Sequence, residues 1–481
     1  MSINRVDVTR AVQNSGLSNF QRRTILLCIG LGLADGFNSL SVGYVIPGLA
    51  DKWDVPLGSF AWVVVSAVIG EILASTMLAP RADRFGRRTM IAVGIVTFGF
   101  ATLAAAFAPN VWVLALCRFF AGVGIGTTSP NLFALSTDYS PNRYKSTVVT
   151  VLGGGMALGG TLCGIVAGVV VPRFGGEALF LVAGAVPLIV LALAIRATPE
   201  SLEIYVARGD RQRVAQVMNQ IEGGNRYTAK DDFSVPSDES IVRPGLSELF
   251  RGGRAVSSVL VWAMFFLGIS GSYFVFSWLT SILTLGGISE ASAIFASSVT
   301  IFGGIVGGIV LGVLLDRSRF GILSLLVGTI VQTTATVVLA SALSPTLGQT
   351  PLVVLCLVLG FGIVGTGTAL TAVTARTYPP QLRSTGLGWA TGFSRLGAIF
   401  APMVGGQLID GGWSSSAILY VSLIPSTVNA LLFCIFHRYG RFAPSESDRE
   451  LDGKLLEPEE RLHPDTDANS TVRSTREGTI I

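Results

Sequence analysis

The sequence predicts an all-α membrane protein with twelve transmembrane helices, arranged as two six-helix halves related by pseudo-twofold symmetry. Three observations carry that prediction. Of 481 residues, 50% are hydrophobic and only 13% are charged, where a soluble domain carries about 25% charge. Twelve apolar runs are each long enough for a bilayer core of about 30 Å, which takes roughly 20 helical residues. The chain also echoes itself at a spacing of 238 residues. The shortage of charge excludes a soluble enzyme, a coiled coil and a disordered chain. The 57 glycines follow no G-X-Y period, which excludes collagen.

The elements follow in order. Residues 1–23 are polar, lack an apolar leader core and form a cytoplasmic N-terminal segment. Residues 24–196 hold six apolar runs, near 24–49, 59–80, 88–107, 111–138, 146–171 and 177–196. A polar middle loop, 197–254, follows. Its start, ESLEIYVARGDRQRVAQVMNQIEGG, has helical spacing and predicts a surface helix ended by Gly223 and Gly224. Residues 255–437 hold six more runs, near 255–285, 291–315, 320–341, 351–376, 385–410 and 415–437. Residues 438–481 are polar, acidic and Pro-containing, and predict a disordered cytoplasmic tail.

Lys and Arg placement sets the orientation. With the N-terminus inside, the outer loops hold only Lys52 and Arg173, and Arg118 and Arg395 lie within spans. Every other basic residue falls on the cytoplasmic side. Both termini and the middle loop are therefore expected there, in a multi-pass protein of the cytoplasmic membrane. The net charge of +4 is spread along the chain rather than gathered in one patch, so no nucleic-acid partner is expected. The lipid bilayer is the expected partner surface, and the chain is expected to be monomeric.

The repeat is specific. Gly122 and Gly360 are 238 apart, as are Gly124 and Gly362, Ala134 and Ala372, Ser146 and Ser384, and Thr147 and Thr385. Asp83-Arg84 returns as Asp316-Arg317, at an offset of 233. Two halves of parallel topology are the pattern of an alternating-access transporter. Cys28, Cys117, Cys163, Cys356 and Cys434 all lie in apolar runs without metal spacing. No cofactor or metal is expected. HExxH is absent and no GxSxG sits in a strand–turn–helix context, which argues against an enzyme.

These residues resemble a known family. APRADRFGRR (79–88), between spans 2 and 3, is similar to the signature loop of the major facilitator superfamily. LLDRSRFG (314–321) is similar to its second copy, and RFFAGVGIG (118–126) resembles its span-4 motif. Within that superfamily the chain resembles the aromatic acid:proton symporters. The carrying segments are ADGFN (34–38), PNLFALSTDYSP (130–141), TPES (198–201) and YPPQLRSTGLGWATGFSRLGAIFAP (378–402). Asn38 stands where that family has a second acid. Span 5 lacks the Gly-Pro motif of drug:proton antiporters, and span 7 lacks the glutamine pair of sugar porters.

Four ionisable residues lie within spans: Asp35, Glu71, Arg118 and Arg395. Each costs about 2.5–3.5 kcal/mol at a helix centre on insertion scales, so such residues pair or face water. Asp35 and Arg118 fall at similar estimated depths, which allows a pair. A proton carrier needs a carboxyl whose surroundings change between open and closed states. Asp35 is the candidate, with Arg118 as its switch; a permanent ion pair locking spans 1 and 4 is the structural alternative. Glu71 is a second proton site or a partner for Arg118. Arg395 has no repeat equivalent, because Ala157 stands 238 earlier. Its fork matches a carboxylate, so it is the candidate substrate anchor, with a structural bond to Asp35 or Glu71 as the alternative. Asn38 shares a face with Asp35 and either contacts substrate or is satisfied within the bundle. Phe274 and Trp278 of span 7, and Trp389 and Phe393 of span 11, are candidates to sandwich an aromatic ring.

By the resemblance, Asp83, Arg84, Arg87 and Arg88 hold the cytoplasmic side shut in the outward-open state. Asp83 meets a helix N-terminus and the arginines bridge the halves. Asp138, Arg143, Asp316, Arg317, Arg376 and Arg383 are their expected partners. The Gly155/Gly159 and Gly160/Gly164/Gly168 series of span 5 predicts close helix packing. The functional expectation is proton-coupled import of small organic anions, most specifically aromatic carboxylates. Import of a non-aromatic carboxylate or sugar-like solute, and a membrane sensor without transport, stay open.

Overall fold

In a computed structural model, the structure describes residues 5–235, 246–251, 253–317 and 321–439. The spans are numbered in chain order: Asn19–Trp53, Ala61–Met77, Arg87–Ala105, Val111–Asp138, Lys145–Phe174 and Gly176–Ala194 in the first half. The second half has Ala255–Leu285, Glu290–Arg317, Gly321–Ala342, Gln349–Thr377 and Pro380–Asp410. Span 12 is two helices, Ser415–Val421 and Leu423–Tyr439. Among the described residues, eleven spans are long and apolar enough to cross a membrane. Span 11, with 31 residues, is amply long; its glycines, hydroxyls and Arg395 make it less apolar. Span 1 begins earlier than its hydropathy predicts. The reason is a capping box, in which the Ser18 hydroxyl accepts from the Gln21 N–H and the Gln21 side chain accepts from the Ser18 N–H.

The repeat is a repeat of contacts. A Cβ on Gly122 of span 4 would overlap the Ala67 carbonyl of span 2. A Cβ on Gly360 of span 10 would overlap the Thr300 carbonyl of span 8. Both partners obey the offsets read from the sequence. Glycine is required because only its absent side chain lets two backbones approach so closely. The span-5 series does the same against span 1, where a Cβ on Gly159 would overlap the Leu33 carbonyl.

The halves meet at mid-depth and toward the face opposite the middle loop. Gly58 N–H donates to Asp410 Oδ1 at 2.8 Å. Gly164 of span 5 abuts Ser298 of span 8.

The middle-loop face carries a small assembly that the sequence does not announce. Residues Arg5–Asp7 pair in parallel with Asp232–Ser234. The helix Val8–Asn14 then buries Val8 and Val12 in a cluster that includes Val214, Met218 and Ile221. The single surface helix expected after span 6 is instead two, Leu202–Ala207 and Arg211–Glu222. The break falls at Gly209, whose φ of +68° favours glycine. Gly223, in the left-handed region, ends the second helix as expected. One face of this pair is covered by the N-terminal segment, so it is not a free surface element. The expected tail, 438–481, lies outside the described residues from 440 onward.

Candidate functional site

Two polar clusters occupy the membrane interior, and they differ in access. The first is sealed inside the first half. Asp35 is 2% exposed and Arg118 is 1% exposed. They do not form the expected pair. Arg118 lies seven residues into a helix of 28, whereas Asp35 lies mid-way along a helix of 35. At 1.5 Å rise per residue, Arg118 is displaced toward the opposite face. Its Nη1 therefore donates to Asn38 Oδ1 at 3.3 Å. Asn38 in turn donates to Thr102 Oγ1 at 2.7 Å and to the Ala183 carbonyl at 3.2 Å. Asn38 is thus saturated within spans 1, 3, 4 and 6, and in this conformation it is not open to a solute. Asp35 Oδ2 accepts from the Ser129 hydroxyl at 2.5 Å, while Asp35 Oδ1 has no hydrogen-bond partner among the described residues.

The second cluster is reachable. Arg395 of span 11 pairs with Glu71 of span 2, Nη1 to Oε1, at 2.6 Å. The Arg395 side chain is 37% exposed and that of Glu71 is 21% exposed. Tyr273 of span 7 stands beside Arg395. This cluster joins the two halves. Arg395 is held by an acid, as its structural alternative required, and its side chain is partly exposed. Glu71 does not neutralise Arg118. Tyr273 escaped the sequence reading, although it stands 238 residues after Asp35, the spacing that relates Gly122 to Gly360.

The four aromatic candidates are not brought together around Arg395. Phe274 and Trp278 are buried, and Trp278 Nε1 donates to the Pro402 carbonyl at 3.0 Å, tying span 7 to span 11. Trp389 and Phe393 are exposed and stack on Trp262 at centroid distances of 6.0 and 5.6 Å. Two and six residues from Arg395, at about 100° per residue, they point away from its face. A small cavity of about 30 Å³ lies between spans 7, 9, 10 and 12, beside Gln332, Ser426 and Asn429. It has room for about one water and offers a carboxylate no cation.

At the middle-loop face, Arg87 pairs with Asp138, and Asp138 Oδ2 accepts from the Ser201 hydroxyl at 2.8 Å. Arg87 also reaches Glu203 at 3.4 Å. Glu200 Oε1 accepts from the Arg88 N–H at 3.0 Å, and Tyr139 donates to the Glu200 carbonyl at 2.5 Å. Burial pushes the Tyr139 phenol well above its ordinary range. The TPES segment is therefore the hub of the signature loop. These bonds all lie within the first half and the start of the middle loop, so the expected bridge between halves by Arg87 is not formed here. Asp83 forms no ion pair among the described residues, Arg84 lies over Phe85, and Arg143 lies over Tyr144. Arg383 is exposed. The side chains of Asp316 and Arg317 lie outside the described set. All five cysteines are free.

Comparison with known proteins follows this geometry. The family model described as Major Facilitator Superfamily matches residues 27–390 and 287–466. The chain is 31% identical to the 4-hydroxybenzoate transporter PcaK of Pseudomonas aeruginosa, over 89% of this chain and 95% of that protein. It is 28% identical to the benzoate transport protein of Acinetobacter baylyi, over 84% and 87%. Among solved structures, it resembles a bacterial homologue of the human lysosomal transporter Spinster in an inward-facing, unoccupied conformation. The TM-score is 0.69, with 15% identity and coverage of 89% and 100%. This last likeness concerns the fold alone.

Proposed function

The chain belongs to the Major Facilitator Superfamily and is a multi-pass membrane transporter, not an enzyme; from that membership we propose that it is a proton-coupled symporter importing aromatic carboxylates such as benzoate or hydroxybenzoates across the cytoplasmic membrane, with both termini inside. The relatives that share most of its length carry 4-hydroxybenzoate and benzoate in their names. The observation that carries the reading is Arg395, a guanidinium at mid-depth that is 37% exposed and lies between the halves. A carboxylate arriving from a water-filled cavity meets a planar fork suited to it.

Asp35 is the proposed proton carrier. Its Oδ1, in a sealed site, lacks a hydrogen-bond partner among the described residues, and a proton placed there can be gained or lost as the halves move. The signature loop, held by Arg87, Asp138 and the TPES segment, is the proposed gate on the middle-loop side.

The test is uptake of radiolabelled 4-hydroxybenzoate into proteoliposomes, with and without an inward-acid gradient, in wild type and Asp35→Asn. Accumulation that needs both the gradient and Asp35 supports the reading. Binding without accumulation in folded, inserted protein supports a sensor instead. Competition by aliphatic acids as strong as by benzoates removes the aromatic assignment.

A further inference from the structure

We propose that Glu71 is a built-in competitor for the substrate, occupying Arg395 in the empty carrier until a proton on Glu71 frees the guanidinium for the incoming carboxylate. This rests on the proposed function above and adds a coupling step to it.

The Arg395 fork holds one carboxylate at a time. Glu71 Oε1 already sits 2.6 Å from Arg395 Nη1. A substrate carboxylate drawn to the same fork would stand beside the Glu71 carboxylate, and two like charges that close repel. A proton removes the conflict. Glu71 gains it on one carboxyl oxygen, the Glu71–Arg395 ion pair breaks, and the substrate–Arg395 ion pair forms. On release the steps reverse: the substrate leaves, the proton departs from Glu71, and the original pair re-forms. The site holds one positive and one negative charge both empty and loaded, so neither state strands an uncompensated charge within the membrane.

The surroundings fit this role. Arg395 approaches Glu71 from span 11, Tyr273 of span 7 stands beside Arg395, and Asp35 of span 1 lies within electrostatic range of Glu71. Arg118 of span 4 is engaged by Asn38 instead. Both members of the Glu71–Arg395 pair are partly exposed, so a proton and a solute can reach them, whereas Asp35 and Arg118 are sealed.

The experiment is equilibrium binding of radiolabelled 4-hydroxybenzoate to the purified full chain between pH 5.5 and 8.5, in wild type and Glu71→Gln. Proton uptake on binding is read with an indicator dye in weak buffer. Wild type should lose affinity about tenfold per pH unit on the alkaline side, the slope of one linked proton. It should take up about one proton per anion bound. Glu71→Gln should bind with an affinity that is flat in pH, take up none on binding, and accumulate substrate across proteoliposomes less steeply, because only the Asp35 proton stays coupled. Retention of the wild-type slope and proton uptake in Glu71→Gln overturns the proposal. Asp35→Asn gives a second test that does not depend on the stability of Glu71→Gln: loss of binding-linked proton uptake in that variant assigns the proton to Asp35 and overturns it. Absence of binding at every pH in folded wild type removes the aromatic-acid reading and the competitor role together. Binding by wild type without any pH dependence removes the competitor role alone.

Discussion

The Arg118 guanidinium donates to the Asn38 side-chain oxygen at 3.3 Å, so a neutral amide holds a charge buried in the first half. The arrangement leaves Asp35 free of a basic partner and separates the sealed cluster from the one around Arg395. Asn38→Ala should strand Arg118 and cost about 1.5–3 kcal/mol, the range for a hydrogen bond to a charged group. Thermal unfolding in detergent checks this; an unchanged midpoint would mean another acceptor takes over.

Arg395→Lys should weaken 4-hydroxybenzoate binding about 10- to 100-fold. The ammonium keeps the charge but loses the planar fork, and a charged hydrogen bond is worth about 1.5–3 kcal/mol. Binding by the purified variant, compared with its uptake rate, separates affinity from the later steps.

Trp278→Phe should destabilise the protein by about 1–3 kcal/mol without changing ligand affinity. It leaves the buried Pro402 carbonyl without the indole donor, and the side chain lies in the packed seam between spans 7 and 11. A lower unfolding midpoint with an unaltered Kd is the expected pairing.

Gly159→Val should abolish the yield of monodisperse protein. Its side chain would meet the Leu33 carbonyl across the span 1–span 5 contact, and overpacking of that kind costs about 1–3 kcal/mol even where the backbone can shift. Size-exclusion profiles after mild solubilisation give the answer.

Two proposed acids, Asp35 and Glu71, imply two protons for each monovalent anion and one net inward charge per cycle. Accumulation should then rise with an inside-negative potential. One charge is worth about 2.3 kcal/mol per 100 mV, or about fifty-fold. Potassium gradients with valinomycin set the voltage. Accumulation indifferent to voltage would mean one proton per anion.

The helical plan was legible because membrane insertion imposes long apolar runs, and because shared packing fixes the repeat. Gly122 and Gly360 show this most directly: the same close approach demands glycine in both halves. The site was less legible. Hydropathy places a charge at a depth but does not say which way around the helix it points. That is why Asp35 and Arg118 look paired in sequence and are not in space, and why Trp389 and Phe393, on the correct helix, face away from Arg395. Glu71 had no motif to mark its partner. The strand at Arg5–Asp7 is three residues long, too short to leave a pattern.

That strand changes how far the two halves can separate. Because Arg5–Asp7 clasps Asp232–Ser234, the first stretch of the middle loop is tied down on the first half. On the second half, Leu249 is buried against Tyr378 and against Leu382 of span 11, and its carbonyl accepts from the Ser258 hydroxyl, so only 235–248 link the two anchored stretches. Fully drawn out, a link of that length reaches at most about 50 Å. Deleting residues there should clip the stroke of the carrier before it touches the binding site, leaving a protein that loads its cargo and cannot deliver it.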